Sequence, residues 1–311
     1  MLGKLKRKMQ GKKDLLLSEA HVVISCVPGT DQQNVSDSTI DDYGDALKRM
    51  IEFTGDVPVQ SITRQQYAEF HEWLANRGTN VTTTNNYRRR CRTVWNKLAE
   101  RDYDVCNIAG ITKQLRPPDQ KSRAITDHHL TAILEVANVR DAAIILYMAE
   151  SGFRRQTVGR ITVADTEIWQ RPDGEFRIAS KIPKEKSSPE RLIIAEHAAA
   201  LACKFWLNIR RHQDSPWLFN STKDGGPLSV EAVSSIFYKL RQRANLPAGM
   251  NIHPHALRHR FAQKMLDEFD LATVAGMLAI SPEVAANVYG YRSREELMRK
   301  RFGDDYFPHF D

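Results

Sequence analysis

Three histidines and two arginines stand within the eight residues that begin at His253, in the stretch HPHALRHRFAQ. Imidazole donates, accepts or carries a proton near neutral pH, and a guanidinium binds phosphate oxygens as a two-pronged donor. Such residues are used in a metal site, in an anion site, or on a solvated helix face without a function. The apolar residues that follow recur at helical spacing, so all three interpretations place the cluster at the start of a helix.

On that helix, His255, Arg258 and His259 fall within an arc of about 100°, whereas Leu257 and Phe261 lie on another side. The pattern predicts that one face packs inward and the other presents cations. A zinc site would use the two histidines at i, i+4, but no glutamate lies between them and no clear third ligand follows. An anion site is attractive because helix-start N–H groups, imidazole and guanidinium all favour phosphate oxygens. A polar helix start without a ligand stays open as the alternative.

The overall composition favours a polyanionic partner. The 311 residues carry a formal net charge of +7 and have a pI near 9.2, and clustered Lys and Arg gain free energy by releasing counterions from nucleic acid. The hydrophobic fraction of 41% and the charged fraction of 27% are typical of a globular protein and exclude a disordered or membrane-embedded one. The longest apolar run, AAIILYMA, is too short to span a bilayer, so we expect neither export nor a membrane anchor.

The cysteines stand far apart in the sequence, with no Cys-x-x-Cys pair. This spacing argues against a zinc ribbon and against a disulfide framework, and it favours a reducing, cytoplasmic setting. The four residues are Cys26, Cys91, Cys106 and Cys203.

Composition and periodicity divide the chain into four segments. Residues 1–37 join a basic head to a turn-rich stretch and are expected to have low order. Residues 38–112 show helical periodicity, and TRQQ at 63–66 has the form of a capping box. Residues 113–125 contain two prolines in a polar, basic stretch and are interpreted as a linker, after which Thr126 offers a helix N-cap.

The last segment, residues 126–311, is predicted to be mostly helical with one small antiparallel sheet. A buried helix, RDAAIILYMAE, ends at Ser151–Gly152. Three β-like stretches follow, RITVADTEIW, EFRIASKI and ERLIIA, separated by a turn at Pro172–Gly174 and by the polar turn PKEKSSP. Helices then continue to the end of the chain.

One predicted helix of residues 38–112 is strongly basic. Its sequence, TTTNNYRRRCRTVWNKLAER, combines an apolar stripe with many cations and one acid, Glu100. A solvated face is the common interpretation of such a helix, but the overall charge favours contacts with DNA phosphates. The expected contact residues are Arg88, Arg89, Arg92 and Lys97.

Four stretches resemble conserved segments of the tyrosine recombinases, the superfamily of phage integrases and Xer proteins. HALRHRFA resembles the box His-x-x-Arg with a following His, and ESGFRRQTVGRITVAD resembles the upstream box in which Gly-Leu-Arg precedes a helix and a strand. MLAISPEVAANVYGY resembles the segment that leads into the nucleophilic tyrosine, and KEKSSPERLIIA resembles the hairpin that carries the family's lysine. One such match is weak, whereas four in the family's order and spacing are specific. The first domain also resembles the helical, SAM-like core-binding domain of these enzymes.

The resemblance implies an enzyme that cuts and rejoins DNA through a 3′-phosphotyrosyl intermediate, with no metal or nucleotide cofactor. In this chemistry two arginines clamp the non-bridging phosphate oxygens, a histidine donates a hydrogen bond or handles a proton, and a lysine protonates the leaving 5′-oxygen. Matching the boxes position by position gives five catalytic residues: Arg154, Lys186, His255, Arg258 and Tyr289.

Nearby residues compete with these assignments. Arg155 competes with Arg154 and is otherwise expected to position a DNA phosphate. Lys181 and Lys184 compete with Lys186, and Tyr291 competes with Tyr289. His259 is expected to support the site as a packed histidine.

The chain departs from the family's usual pattern near two of these boxes. Thr157 stands three positions after the first arginine, where an acidic residue is usual. Ile280 stands nine positions before the tyrosine, where His or Trp is usual, and Ala279 replaces the preceding glycine. An isoleucine cannot donate a hydrogen bond to phosphate, so one transition-state contact of the family is absent.

The resemblance also implies double-stranded DNA as the substrate and a homotetramer on two paired sites, serving as an integrase, transposase or resolvase of a mobile element. The protein would lie in the cytoplasm, with the nucleoid when it binds DNA. The apolar residues of the C-terminal segment would dock on a neighbouring protomer or fold back on their own domain. A non-catalytic DNA-binding relative and a type IB topoisomerase-like enzyme are the alternatives. The C-terminal residues concerned are Leu297, Phe302, Tyr306 and Phe307.

Overall fold

The computed structural model describes residues 14–26, 34–111, 115, 124–183 and 190–289 of the chain. The chain divides after Gln120 into two compact units, each with its own hydrophobic core. Helices dominate, and a single three-stranded antiparallel sheet is present in the described part, which confirms the predicted fold class. No helix there combines the length and apolar character needed to cross a bilayer.

The regular elements of the first unit are helices, among its described residues. The capping box expected at its third helix is present: the Thr63 hydroxyl accepts from the Gln66 N–H at 3.1 Å, and the Gln66 side chain accepts from the Thr63 N–H at 3.0 Å. The Asn80 side chain caps the fourth helix by accepting from the N–H groups of Thr82 and Thr83. The elements are α1 (Leu17–Val23), α2 (Asp37–Thr54), a 3₁₀ turn (Val59–Ser61), α3 (Arg64–Asn76) and α4 (Val81–Ala99).

Part of the N-terminal segment is ordered, so the expectation of low order for residues 1–37 is wrong where α1 forms. Leu17 is fully buried in the core of the first unit, and Arg101 donates hydrogen bonds to the carbonyl oxygens of Val23 and Ile24 at the end of the helix. The apolar residues of LLLSEAHVVI have helical spacing, but the run is short and lies between polar stretches. Tertiary burial therefore decides its structure.

His71 lies in the core of the first unit, between the rings of Tyr67 and Phe70, whose centroids are 4.7 and 5.3 Å away. The side chain is 2% exposed, and neither ring nitrogen has a hydrogen-bond partner among the described residues. Burial lowers the pKa of His71 to about 3, and the positive charge of Arg88 acts in the same direction. The imidazole is therefore neutral in the folded protein at neutral pH.

The second unit packs helices against the sheet. The strands are β1 (Thr166–Gln170), β2 (Phe176–Ile182) and β3 (Arg191–Ala195), in the order β1-β2-β3. Before them come α5 (Asp127–Glu135), α6 (Val139–Ser151) and α7 (Arg155–Val158). After them come α8 (His197–Ile209), α9 (Val230–Arg243), α10 (Pro254–Met265), α11 (Leu271–Leu278) and α12 (Pro282–Tyr289).

Alternation along the strands sets the inner face of the sheet. Ile178, Ser180 and Ile182 are buried on β2, and the intervening side chains are not. The buried Ser180 hydroxyl accepts a hydrogen bond from the Tyr147 hydroxyl of α6 at 2.8 Å, so this polar group is satisfied inside the core. α6 thus holds the sheet on one side, and it also packs against α8 and α10.

We predict that acid destabilises the first unit through His71. Its pKa is near 3 in the folded state and ordinarily 6.5 in the unfolded state, so the unfolded chain binds the extra proton between these values. Stability is full above pH 6.5 and falls as the pH drops toward 3, by about 2 kcal/mol at pH 5. Hydrogen exchange of the α3 and α4 amides in the full chain at pH 5 and pH 7 measures the loss.

The His71→Phe variant is the control, because it fills the same aromatic site without a titrating group. Its opening free energy in α3 and α4 should change little over the same pH interval. An unchanged pH dependence in this variant would assign the acid sensitivity to another group.

Candidate active site

The histidine- and arginine-rich stretch forms the start of α10, as predicted. His253 is the N-cap, and its Nδ1 atom accepts from the Ala256 N–H at 3.1 Å. Pro254 takes the first helical position, where a missing N–H has no cost. One histidine of the cluster therefore serves the helix start.

Arg258 lies at the centre of the site and is 3% exposed. Its Nη1 donates to the Gly152 carbonyl oxygen at 2.7 Å, its Nη2 to the Leu278 carbonyl oxygen at 2.7 Å, and its Nε to the Tyr289 hydroxyl oxygen at 3.2 Å. The two carbonyls stand at the C-terminal ends of α6 and α11, where oxygens lack intrahelical partners and the helix dipole is negative. One guanidinium thus joins three helix ends.

Arg154 is the N-cap residue of α7 and follows directly on the end of α6. Its Nη2 donates to the Ala279 carbonyl oxygen at 3.3 Å, next to the carbonyl that Arg258 uses. Arg155, its competitor from the sequence, is exposed and donates to the Ser234 hydroxyl of α9 at 2.9 Å. The geometry supports Arg154 as the arginine of this site.

Arg191 is a third arginine near the site, and sequence reasoning missed it. Burial lowers the pKa of Arg258, the Tyr289 hydroxyl opposes this shift, and the charges of Arg154 and Arg191 add to it. Arginine keeps its proton in proteins, so these side chains concentrate positive charge. The one signal in the sequence is the position of Arg191 at the start of a strand that follows a basic turn.

Tyr289 lies at the end of α12 and is 5% exposed. Its ring meets that of His259 edge-on, with the centroids 4.9 Å apart. The His259 ring meets that of His255 in the same way at 4.6 Å. His255 is exposed and His259 is buried, so the three rings lead from the surface to the tyrosine.

The expectation that one face of this helix presents cations is wrong for Arg258 and His259, because both are buried. The helices α11 and α12 fold over that face of α10 and build a small apolar cluster with it, which includes Phe261 and Leu278. Of the three residues assigned to the cationic face, His255 remains exposed. The burial depends on two helices that are later in the sequence, so helical periodicity alone could not reveal it.

The departures from the family pattern occupy ordered positions. Ala279 has the left-handed conformation, with φ of 49°, and ends α11. The Ile280 N–H donates to the Ala275 carbonyl oxygen at 3.1 Å, and its half-buried side chain packs against the small apolar cluster. Thr157 is fully buried, and its N–H donates to the Arg154 carbonyl oxygen at 2.9 Å. Neither side chain places an ionised group in the site.

Several predicted residues lie outside the described part of the chain. They are Lys184, Lys186 and Tyr291, together with Leu297, Phe302, Tyr306 and Phe307 of the C-terminal segment. Lys181, the third lysine considered, is described: it lies exposed on β2, with its Nζ 3.2 Å from a carboxylate oxygen of Glu190.

The basic residues of α4 differ in their surroundings. Arg89 and Arg92 are exposed. Arg88 is half-buried and donates to the His71 carbonyl oxygen at 2.6 Å, so it helps to join α4 to α3. Lys97 lies over the ring of Tyr43, 5.5 Å from its centroid. Arg89 and Arg92 are therefore the better exposed candidates for phosphate contacts.

His255 and His259 are the pair that a metal site on this helix would use. Among residues 14–26, 34–111, 115, 124–183 and 190–289, no three His, Cys, Asp or Glu side chains come together as ligands would.

Comparison with protein families gives two matches. Residues 123–292 match the phage integrase family, and residues 30–105 match the phage integrase N-terminal SAM-like domain. The tyrosine recombinase XerC of Haemophilus ducreyi is 29% identical over 65% of this chain and 66% of its own length. XerC of Bacillus subtilis is 27% identical over 53% of each chain. The chain thus spans between about half and two thirds of the length of these curated relatives.

Solved structures share the fold at low sequence identity. A lambda integrase dimer bound to a COC′ core site aligns with a TM-score of 0.70 and 15% identity, over 94% of this chain and 82% of that one. The Tn1549 transposon integrase in complex with transposon right end DNA aligns with a TM-score of 0.68 and 15% identity, over 93% and 99% of the two chains. These likenesses establish the arrangement of helices and sheet.

Proposed function

The chain belongs to the phage integrase family, and on that basis we propose that it is a site-specific DNA recombinase that works through a 3′-phosphotyrosyl intermediate. The observation that carries the proposal is the hydrogen bond from the buried Arg258 guanidinium to the Tyr289 hydroxyl. A guanidinium, a tyrosine hydroxyl and a second arginine, Arg154, are the groups that phosphodiester transesterification requires.

Tyr289 is the proposed nucleophile. A phenol, with an ordinary pKa near 10, attacks poorly at neutral pH, and a cation that donates to its oxygen stabilises the phenolate that develops. The oxygen attacks phosphorus, an O–P bond forms, and the bond to the 5′-oxygen breaks. The covalent link retains the bond energy for rejoining to another strand, so the proposed reaction needs neither a metal nor a nucleotide.

The arginines are the proposed phosphate clamp. The described contacts of Arg258 use three of the five N–H donors of a guanidinium, which leaves two for a non-bridging oxygen. Arg154 donates to the adjacent carbonyl of the α11 end, so its head lies in the same region. Positive charge placed in advance at a developing oxyanion usually gives the largest single contribution to such a reaction.

Two other roles are proposed from the family pattern. His255 is exposed at the outer end of the ring series and would donate a hydrogen bond to the phosphate or exchange a proton. Lys186 would protonate the leaving 5′-oxygen, with Lys181 and Lys184 as the competing lysines.

The proposed partner is double-stranded DNA, bound by a homotetramer on two paired sites. Arg88, Arg89, Arg92, Lys97 and Arg155 would contact phosphates, and the C-terminal segment would pass to a neighbouring protomer. The pI near 9.2 supports a polyanionic substrate. Cleavage and rejoining would serve a mobile element as integrase, transposase or resolvase, on DNA in the cytoplasm.

A non-catalytic DNA-binding relative is the second candidate. Ile280 favours it, because an aliphatic side chain stands where the family supplies a hydrogen-bond donor. The buried contact of Tyr289 with Arg258 argues against it, because DNA binding alone has no need of this tyrosine. A type IB topoisomerase-like enzyme would share the cleavage chemistry but would relax DNA without joining two sites.

We predict that the chain forms a covalent adduct with DNA and that Tyr289→Phe abolishes it. The chain is incubated with random-sequence duplexes that carry a nick. Cleavage near the nick releases a short 5′-hydroxyl fragment, and because this fragment diffuses away, rejoining fails and the adduct is trapped. Denaturing gels separate the adducts, and sequencing recovers the target. Binding by the Tyr289→Phe variant should stay within about threefold, because the lost hydroxyl makes no contact with DNA before attack.

Tyr291→Phe is the matched control and should retain the adduct. An adduct that persists in Tyr289→Phe and disappears in Tyr291→Phe would show that the register is wrong. A wild-type chain that binds a preferred duplex and never forms an adduct would support the non-catalytic candidate.

We predict that Lys186→Ala slows cleavage of an ordinary phosphodiester by about 100-fold or more and leaves cleavage of a 5′-phosphorothiolate nearly normal. A thiolate leaves without a proton, so the substrate replaces the missing acid. Lys181→Ala and Lys184→Ala are tested in parallel on the recovered target. If the 5′-phosphorothiolate restores cleavage by the Lys181 or Lys184 variant instead, that lysine is the general acid. Equal defects of Lys186→Ala on both substrates would show that Lys186 is not the general acid.

We predict that Ile280→His retains DNA binding and cleaves at least as fast as the parent, because it restores a donor worth on the order of 100-fold in rate. Ile280→Asp should be nearly inactive, since it places a negative charge beside the phosphate. Ile280→Leu is the packing control and should match the parent. A folded Ile280→His variant that no longer cleaves would mean that position 280 belongs to the packed core and that the alignment of this segment with the family is wrong.

A further inference from the structure

The proposed reaction needs an acceptor for the proton of the tyrosine. When the hydroxyl oxygen forms its bond to phosphorus, the phenolic proton must leave, and the opposite transfer must occur when the strand is rejoined. Tyr289 is 5% exposed, so bulk water has little access to the residue. The acceptor should therefore be a side chain in contact with it.

Two polar side chains contact Tyr289 in the described part of the chain. Arg258 donates a hydrogen bond to the hydroxyl oxygen, but a guanidinium is already protonated and has no acceptor atom. His259 meets the ring edge-on, with the centroids 4.9 Å apart, and a neutral imidazole has one nitrogen that accepts a proton. The other described neighbours belong to the small apolar cluster. Of these groups, His259 is the one that can take the proton.

The proton also needs a route out, because His259 is 3% exposed. The spacing of four residues places His255 on the same face of α10, one turn earlier. The two imidazole rings meet edge-on with a centroid distance of 4.6 Å, and His255 is exposed. The rings of Tyr289, His259 and His255 therefore form a continuous series of contacts from the nucleophile to the exposed face of α10.

We propose that His259 accepts the Tyr289 proton as the bond to phosphorus forms, and that His255 exchanges this proton with solvent. During rejoining, the 5′-hydroxyl attacks the phosphotyrosyl phosphorus, the bond to the tyrosine oxygen breaks, and the proton returns to that oxygen by the same path. The lysine serves the 5′-oxygen, so separate groups handle the two oxygens. The inference rests on the proposed function. It gives a chemical role to His259, which the sequence pattern assigns only to packing.

Three arginines place positive charge near this path. Arg258 lies beside His259 on α10, Arg154 precedes α7, and Arg191 begins β3, and all three contribute positive charge at the site. Transfer of the proton to His259 creates a further cation there. A phosphodiester held between the arginines supplies the compensating negative charge, so bound substrate favours the transfer.

The test compares one reaction that needs the tyrosine proton with one that does not. The first is cleavage of the DNA recovered from wild-type adducts. The second uses the same duplex with a 3′-p-nitrophenyl phosphate in place of the phosphotyrosyl link, and a 5′-hydroxyl strand attacks it in the Tyr289→Phe background. p-Nitrophenolate leaves without a proton, so this joining reaction bypasses the proposed path while keeping the same phosphate contacts.

We predict that His259→Phe slows cleavage at neutral pH by about 100-fold or more, the usual contribution of a general base. Its rate should rise with pH more steeply than the wild-type rate, because hydroxide replaces the missing base. The p-nitrophenyl reaction of Tyr289→Phe/His259→Phe should stay within about threefold of that of Tyr289→Phe. Arg154→Ala is the contrasting variant and should slow both reactions.

His259→Gln provides a second variant, which keeps a polar side chain and cannot act as a base. Thermal unfolding and binding to the intact duplex show whether each variant is folded. Equal losses in the two reactions, or cleavage by both folded variants at the wild-type rate, would overturn the inference. Failure of the proposed function is a different result, because the wild-type chain itself would then form no adduct.

Discussion

The site depends on how one buried positive charge is satisfied. Removing a guanidinium from water costs several kcal/mol unless hydrogen bonds compensate for it, and Arg258 obtains them from carbonyls at the ends of α6 and α11 and from Tyr289. The arrangement restricts the residues around it. Gly152 has φ of 64°, and a Cβ there would lie 2.3 Å from a ring carbon of Phe261, so α10 could not approach α6 as closely with a larger residue. The end of one helix thereby fixes the position of the site.

The same constraint explains why the arginines gather despite their mutual repulsion. The carbonyl oxygens at the helix ends supply partial negative charge, and they hold Arg258 and Arg154 through hydrogen bonds to neutral acceptors. Arg191 adds to the positive potential at Arg258. In the proposed function, this positive charge would be in place before a phosphodiester binds, because the helix ends hold the arginines in position.

The features of the fold that depend on local sequence could be predicted. The capping box at Thr63, the N-cap at Thr126 and the alternation of β2 follow from neighbouring residues, and the structure confirms them. The features that depend on distant segments could not. α1 is too short to be recognised without its tertiary contacts, and the burial of His259 requires α11 and α12 to fold over α10. Arg191 lies near Arg258 because of how the sheet is placed, and no residue spacing in the sequence predicts that proximity.

The departures at Thr157 and Ile280 change the chemistry of the site more than its shape. Thr157 closes the first turn after Arg154 through its backbone N–H, and Ile280 fills its place beside the small apolar cluster. An acidic residue at position 157 would be buried near Arg154 and would act on its guanidinium through a negative charge, whereas a threonine adds no charge there. Isoleucine at position 280 lacks the hydrogen-bond donor that His or Trp usually supplies there in the family. The proposed reaction would therefore depend more on the arginines, which donate to helix-end carbonyls, than on neutral hydrogen-bond donors.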